Sequence, residues 1–141
     1  MKDTIKKNVS FIAANWHSDI VDEALAGFMA AVGDAYAVKV IRVPGAFEIP
    51  LAAKRAIAGG ADAVIGCAFV VDGGIYRHDF VAATVVDALM RVQLDADVPV
   101  FSVVLTPHNY QETAAHDAFF KAHFVKKGAE VAEALQAVVA A

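Results

Sequence analysis

The sequence is poor in cysteine, and this excludes several kinds of site. Cys67 is the only cysteine among 141 residues, so the chain can form neither an intrachain disulfide nor a cysteine-rich metal site. It lies inside the apolar run 63–71. A reactive thiol needs a partly exposed, electropositive setting, so we expect Cys67 to be buried and unreactive rather than a nucleophile.

Long apolar runs and clusters of one charge are also missing. No stretch approaches the ~20 apolar residues that span a bilayer, and no apolar core with a cleavage site follows the basic N-terminus. Twelve Lys and Arg residues stand against 16 Asp and Glu, for a net charge of −4, and the basic residues form no long run. We therefore expect a soluble, cytoplasmic protein that binds neither nucleic acid nor a membrane.

Common phosphate-binding and metal-binding motifs are absent as well. No G-x-G-x-x-G follows the first predicted strand and no G-x-x-x-x-G-K-[ST] occurs, so dinucleotide and nucleoside triphosphate binding lose their usual support. A phosphoacceptor receiver domain needs an acidic pair after its first strand, where this chain has Asn15-Trp-His17. His116 and His123, seven residues apart, are a weak metal signal, and no metal site is expected.

What the sequence has in abundance is apolar side chains, arranged as alternating strands and helices. Hydrophobic residues make up 58% of the chain, enough for one packed core in a single domain, residues 1–141. Helices are predicted to start near Ser18, Pro50 and His78, with a last helical segment interrupted near 126–128. Strands are predicted at 8–14, 37–43, 63–71 and 100–105. This alternation predicts an α/β, three-layer flavodoxin-like sandwich with a four-stranded parallel sheet flanked by helices.

In such a sheet, ligands bind beyond the carboxyl ends of the strands. The loops to examine are therefore 15–18, 44–49, 72–79 and 106–109. Trp16, the only tryptophan, lies in the first loop among polar neighbours. Its indole is either a stacking platform for a flat ring, worth ~0.5–1.5 kcal/mol beyond burial, or a side chain that closes the edge of the core or an interface.

The second and third loops carry the polar groups. Backbone amides and the Glu48 carboxylate suit a polyhydroxylated chain, although composition alone favours a Glu48 that only caps its turn. His78 is the candidate for proton transfer, and Arg77 for holding an anion such as phosphate. The alternative is a surface ion pair between Arg77 and Asp79, with His78 as a residue that caps the helix.

Three segments are similar to a known family. They are Val43-Pro-Gly-Ala-Phe-Glu-Ile-Pro50, the strand 63–71 followed by Arg77-His-Asp-Phe-Val81, and Val98-Pro-Val100 leading to Val104-Leu-Thr106. Together they resemble the lumazine synthase family across nearly the whole chain, most closely the branch with a tryptophan after the first strand. The resemblance implies a flavodoxin-like subunit that assembles into pentamers, and in this branch into decamers, with each active site between neighbouring subunits.

The resemblance also assigns substrate-binding residues. It implies that Trp16 stacks on a pyrimidine ring. The other positions follow the family motifs: Ala46, Phe47 and Glu48 at a ribityl chain, Phe69, Val70 and Val71 along the pyrimidine pocket through backbone contacts, and Gly74 and Ile75 at a ketose phosphate.

Three positions depart from the family pattern. Arg77 stands in the column of the usual catalytic histidine and His78 one place later, so the acid/base role stays open between these two catalytic candidates. His116 replaces the family's phosphate-binding arginine. Ser102 falls near the position of an aromatic residue that the neighbouring subunit contributes.

The activity that the resemblance implies is a transferase reaction. The enzyme condenses 5-amino-6-(D-ribitylamino)uracil with 3,4-dihydroxy-2-butanone 4-phosphate, releases inorganic phosphate and forms 6,7-dimethyl-8-ribityllumazine, the penultimate step of riboflavin biosynthesis. No cofactor is required. The alternative is a lumazine- or flavin-binding protein with weak or no turnover.

Overall fold

The structure is a computed structural model that describes residues 5–72, 77–107 and 110–141. The four strands are β1 (Asn8–Ala14), β2 (Ala37–Val43), β3 (Ala63–Phe69) and β4 (Val100–Leu105). The four helices are α1 (Ser18–Val32), α2 (Ile49–Ala58), α3 (His78–Ala96) and α4 (Ala114–Val138). A short 3-10 turn, Ala46–Glu48, leads into α2.

All strand pairings are parallel, and the strand order is β2-β1-β3-β4. Helices α1 and α4 pack together on one face of the sheet, whereas α2 and α3 cover the other. The three-layer α/β sandwich predicted from the alternating pattern is thus confirmed. In a parallel sheet every strand ends at the same edge, so the loops that follow the strands are neighbours.

The sheet separates two apolar cores, because successive side chains of a strand point to opposite faces. Every residue of β3 is buried, as expected of a strand covered by helices on both sides. Phe11 and Ile65 pack towards α1 and α4 together with Phe28. Ile12 and Val64 pack towards α2 and α3.

The single cysteine lies in the middle of β3 and is fully buried. Burial raises the pKa of the Cys67 thiol, with a further increase from the negative charge of Asp22, so the group stays protonated at neutral pH. The prediction of a buried thiol is confirmed.

The prediction of an interruption near residues 126–128 is wrong, because α4 runs unbroken through Gly128. A Cβ at Gly128 would lie 2.0 Å from the carbonyl oxygen of Ala24 in α1. The contact is reciprocal, since a Cβ at Gly27 would lie 2.2 Å from the carbonyl oxygen of Val125. Gly128 therefore lets two helix backbones approach closely; it does not end a helix.

The predicted end of β3 at Val71 lies two residues too far, since the strand ends at Phe69. Val70 nevertheless still donates its N–H to the carbonyl oxygen of Leu105, at 2.9 Å. The chain thus stays attached to β4 as it leaves the sheet. Among residues 5–72, 77–107 and 110–141, no helix combines the length and apolarity needed to cross a bilayer.

Candidate functional site

A cavity of about 270 Å³ lies at the carboxyl edge of the sheet, where the sequence predicts a ligand site. It is lined by two residues after β1, by the end of β3 and the three residues that follow it, by one residue of α3 and by one that precedes α4: Trp16, His17, Phe69, Val70, Val71, Asp72, Val81 and Glu112. Four of these, Trp16, Phe69, Val70 and Val71, are among the predicted substrate-binding residues. The structure therefore brings together positions that are 55 residues apart in the chain.

Trp16 presents an accessible ring at the mouth of this cavity. Its side chain is 40% exposed, and its ring meets that of Phe47 edge to face, with 6.5 Å between ring centroids. The indole rests on Gly45, where a Cβ would lie 2.2 Å from Cε2 of Trp16. The next residue, His17, has a left-handed backbone (φ 49°), a conformation that histidine adopts more readily than most residues. This turn places Trp16 outside the core, as a stacking platform requires.

The turn after β2 is organised by Glu48. Its Oε1 accepts the backbone N–H of Gly45 at 2.8 Å, and its own N–H is donated to the carbonyl oxygen of Gly45. One carboxylate oxygen thus stabilises the turn, as the capping alternative describes. Ala46 is buried, whereas Phe47 and Glu48 are exposed and border a groove of about 600 Å³ between β2 and α2. The assignment of these three residues to a ribityl chain stays a prediction.

The Phe69 side chain belongs to the core more than to the cavity. It is 1% exposed and packs in a cluster of rings: His17, Tyr110, Phe120 and Phe124. The residues after it, Val70 and Val71, continue the wall of the cavity beyond the end of the strand. Backbone groups rather than the phenyl ring are therefore what Phe69 can offer to a ligand.

His78 is held by two hydrogen bonds beside the cavity. Its backbone N–H is donated to Asp72 Oδ1 at 2.8 Å, and its ring Nδ1 lies 2.8 Å from Thr106 Oγ1. Asp72 itself lines the cavity, and Thr106 donates its hydroxyl proton to the carbonyl oxygen of Val70 at 2.7 Å. The imidazole is thus tied to the ends of β3 and β4.

Arg77 adopts a different arrangement from its neighbour. Its guanidinium forms an ion pair with Asp79 at 3.0 Å and lies 4.7 Å from the centroid of the Phe80 ring. The side chain is 68% exposed. The ion pair named as the alternative interpretation is present, but an exposed pair of this kind contributes little to stability, so the cation remains available to an anionic ligand.

His116 lies in the first turn of α4 and is linked to the cavity through Tyr110. Its ring centroid is 6.1 Å from that of Tyr110, which in turn is 5.4 Å from that of His17. The Tyr110 hydroxyl donates to Asp117. Burial and this acidic partner raise the pKa of Tyr110, so the phenol stays protonated at neutral pH.

The remaining predicted residues lie away from the cavity or outside the described part of the chain. Ser102 is in the middle of β4, exposed at the edge of the sheet, and its Oγ accepts the N–H of Val104 at 3.2 Å. Gly74 and Ile75 lie outside the described residues. The described residues contain no group of three or more His, Cys, Asp or Glu that could hold a metal ion.

Several cavity residues were not predicted as site residues: His17, Asp72, Val81 and Glu112. His17 and Asp72 belong to loops that the strand-end rule identifies, so their location was a usable signal. Glu112 precedes α4, and only the packing of that helix against α1 brings it to the cavity. Two acidic residues, Asp72 and Glu112, thereby line the cavity together with Trp16.

The chain has extensive similarity to proteins of one description. Residues 6–141 match the family model of 6,7-dimethyl-8-ribityllumazine synthase. A protein of that name from Rhodococcus erythropolis is 55% identical over 144 residues, covering 99% of this chain and 93% of its own length. Proteins named 6,7-dimethyl-8-ribityllumazine synthase 2 from Pseudomonas syringae pv. tomato and Bradyrhizobium diazoefficiens are each 52% identical, covering 90% and 91% of this chain and 78% and 79% of their own lengths.

Proposed function

The chain belongs to the 6,7-dimethyl-8-ribityllumazine synthase family, and we propose that it makes the product for which the family is named. It is a transferase of riboflavin biosynthesis. Its substrates are 5-amino-6-(D-ribitylamino)uracil and 3,4-dihydroxy-2-butanone 4-phosphate, and it releases inorganic phosphate. The names of the relatives above support the synthase, and none of them supports a lumazine- or flavin-binding protein without turnover.

The observation that carries the proposal is the position of His78 beside a cavity whose mouth is formed by Trp16. Asp72 both lines the cavity and accepts the His78 backbone N–H. Val70 also lines the cavity and accepts the hydroxyl proton of the threonine that contacts the imidazole. A flat ring stacked on the indole would therefore lie next to the imidazole, the candidate group for proton transfer.

The pyrimidine substrate is a ring with N–H and amino donors. The carboxylates of Asp72 and Glu112 are acceptors in the cavity wall, and backbone groups of Val70 and Val71 complete the polar contacts. The turn at Ala46–Glu48, next to the indole through the contact of Phe47 with Trp16, receives the ribityl chain. The hydroxyl groups of the ribityl chain would form hydrogen bonds with the Glu48 carboxylate and with backbone amides of this turn.

The ketose phosphate brings negative charge to the other end of the site. Arg77 is the nearest cation by sequence to His78, and its planar guanidinium offers paired N–H donors that match a phosphate group. We assign it to the stabilisation of phosphate and enolate charge, and His78 to proton transfer. The family resemblance assigns Gly74 and Ile75 to the phosphate, with His116 as a further donor and Ser102 contributed from a neighbouring subunit.

Most of the rate enhancement comes from holding the two substrates side by side. Well-oriented intramolecular reactions reach effective molarities of ~10⁵–10⁸ M, whereas a positioned acid or base contributes ~10²–10⁴-fold. The proposed reaction therefore needs no cofactor and only one proton-transfer group.

We also propose that the chain assembles into pentamers, paired as decamers, in the cytoplasm. The groove between β2 and α2 exposes the large apolar side chains Phe47 and Leu51, at 42% and 51%, and a neighbouring subunit would cover them. Native mass spectrometry should give five or ten times the 14.9-kDa subunit. A monomer would contradict this assembly.

The experiment that tests the function mixes the protein with both substrates. We expect the fluorescent lumazine and inorganic phosphate to appear together, faster than the uncatalysed background. If the purified protein is instead yellow, binds riboflavin and yields no product, the binding-protein alternative replaces the synthase.

Gly45→Ala should displace the Trp16 indole and weaken binding of the pyrimidine substrate. The new Cβ would lie 2.2 Å from Cε2 of Trp16, so the exposed indole must turn away. We expect the Kd for the pyrimidine to rise about ten-fold, or ~1.4 kcal/mol, as for a lost stacking contact. Titration calorimetry measures the Kd, and tryptophan fluorescence reports the displacement.

The matched control for this variant is Gly59→Ala. A Cβ at Gly59 meets its nearest atoms at 3.5 Å, an ordinary contact, and the residue lies at the opposite end of α2 from the turn. This variant should bind the pyrimidine as the unmodified protein does. If Gly45→Ala binds the pyrimidine with the same Kd as the unmodified protein, Trp16 is not part of the pyrimidine site.

A further inference from the structure

The hydroxyl of Thr106 makes two contacts, although it has one proton. Oγ1 lies 2.7 Å from the carbonyl oxygen of Val70 and 2.8 Å from Nδ1 of His78. A carbonyl oxygen only accepts, so the hydroxyl proton is donated to Val70. The contact with His78 is then a hydrogen bond only if the imidazole donates, which requires a proton on Nδ1.

We propose that Thr106 is a positioning residue that holds neutral His78 as the Nδ1–H tautomer and leaves Nε2 as the basic nitrogen. The catalytic part of this inference rests on the proposed function, whereas the tautomer rests on hydrogen-bond geometry alone. Free neutral imidazole in water has no such constraint, so the protein selects one of two forms.

The position of the ring is fixed as well as its protonation. His78 is the first residue of α3, and its backbone N–H is donated to Asp72, which prevents the start of the helix from shifting. Thr106 follows β4, and its hydroxyl is anchored on Val70, which follows β3. Hydrogen bonds of 2.7–2.8 Å therefore fix His78 relative to β3 and β4: its backbone is bonded to Asp72, and its ring is bonded through Thr106 to Val70.

This arrangement gives Nε2 a defined task in the condensation. The substrate amine forms a bond to the ketone carbon, and the π electrons of the carbonyl move to its oxygen. Nε2 takes the proton that the new ammonium nitrogen loses and passes it to that oxygen, so a neutral carbinolamine results. Nδ1–H stays bonded to Thr106 throughout, which stabilises the imidazolium while it exists.

A second histidine of the same chain is held in the opposite form. The Nδ1 of His116 accepts the backbone N–H of Gln111 at 2.9 Å, so this nitrogen carries no proton in that contact. Neutral His116 is therefore the Nε2–H tautomer. It serves as an internal reference for the tautomer of His78, and as a neutral donor it fits the role of an additional ligand for phosphate.

Magic-angle-spinning NMR of the assembled protein labelled with ¹⁵N-histidine tests the tautomer without any substrate. Signals are assigned with His78→Gln and His116→Gln, and the pH is raised until the imidazole ¹⁵N shifts no longer change. We expect Nδ1–H for His78 and Nε2–H for His116. Thr106→Val should shift His78 towards Nε2–H, and Thr106→Ser should retain Nδ1–H. An Nε2–H signal for His78 in the unmodified protein, or no change in Thr106→Val, overturns the proposal.

Steady-state kinetics tests the catalytic part. Thr106→Val should lower kcat by about 3- to 10-fold with KM nearly unchanged, since the base is mispositioned rather than removed. Thr106→Ser should restore most of kcat because it keeps the hydroxyl.

A folding control accompanies these variants. Thr106 is exposed, so valine should fit, and Thr106→Ala replaces Thr106→Val if circular dichroism shows a distorted fold. An altered tautomer with unchanged kcat would overturn the catalytic role. If the unmodified protein makes no lumazine, the proposed function fails while the tautomer result stands.

Discussion

Gly128→Ala should lower the free energy of unfolding by about 2 kcal/mol or more, although alanine is the better helix former. At an open helix surface the same substitution would stabilise by about 0.5–1 kcal/mol, because glycine loses more backbone freedom on folding. Here the new Cβ would lie 2.0 Å from the carbonyl oxygen of Ala24. Neither backbone can yield locally, so α1 and α4 must move apart, and the Phe28 and Phe124 contacts between them loosen.

Urea denaturation at a fixed protein concentration measures this change, since assembly contributes to apparent stability. Gly27→Ala should behave in the same way, because its Cβ would lie 2.2 Å from the carbonyl oxygen of Val125. Gly59→Ala, where the space is ordinary, should stay within about 0.5 kcal/mol. A stabilised Gly128→Ala variant would show that the two helices do not pack as described.

His78→Gln should reduce kcat by at least about 10²-fold while changing the KM for the pyrimidine little. Glutamine is close in size and is able to keep a hydrogen bond to Thr106, but its amide does not exchange protons near neutral pH. In the proposed site, binding depends mainly on Trp16 and the cavity wall, which the substitution leaves in place. The remaining rate reflects the juxtaposition of the two substrates, so the variant should still exceed the uncatalysed background.

His123→Gln is the matched control for this variant. The His123 ring stacks on exposed Phe119, with 6.1 Å between ring centroids, on the outer part of α4. The kcat of this control should equal that of the unmodified protein. If His78→Gln keeps a normal kcat while Arg77→Ala does not, His78 is not the proton-transfer group, and that group is instead one that Arg77 positions.

The sequence was sufficient for the order and bounds of most strands. β1, β2 and β4 begin and end where predicted, because each is a short segment rich in valine or other apolar residues and is followed by a polar residue or proline. The continuity of α4 could not be predicted in the same way. A glycine is needed at position 128 because the residue packs against a carbonyl oxygen of α1, about a hundred residues earlier in the chain. The sequence around Gly128 gives no sign of that contact.

The site could be predicted in its location but only partly in its membership. The rule that ligands lie beyond strand ends identifies the loops of Trp16 and Asp72. Which side chains face inward depends on details outside any motif, such as the left-handed backbone of His17 and the packing that brings Glu112 to the cavity. The link between Thr106 and His78 joins residues 28 apart, and it follows only from the adjacency of β3 and β4.

The burial of Cys67 makes the protein convenient for site-specific spectroscopy. With its one thiol enclosed in β3 and protonated, a maleimide dye would react only with a cysteine introduced on the surface. An engineered cysteine at Glu133, which lies on an exposed helix face, would give one label per subunit without first deleting a native residue. Energy transfer between labelled subunits would then report how quickly the proposed oligomer exchanges its subunits.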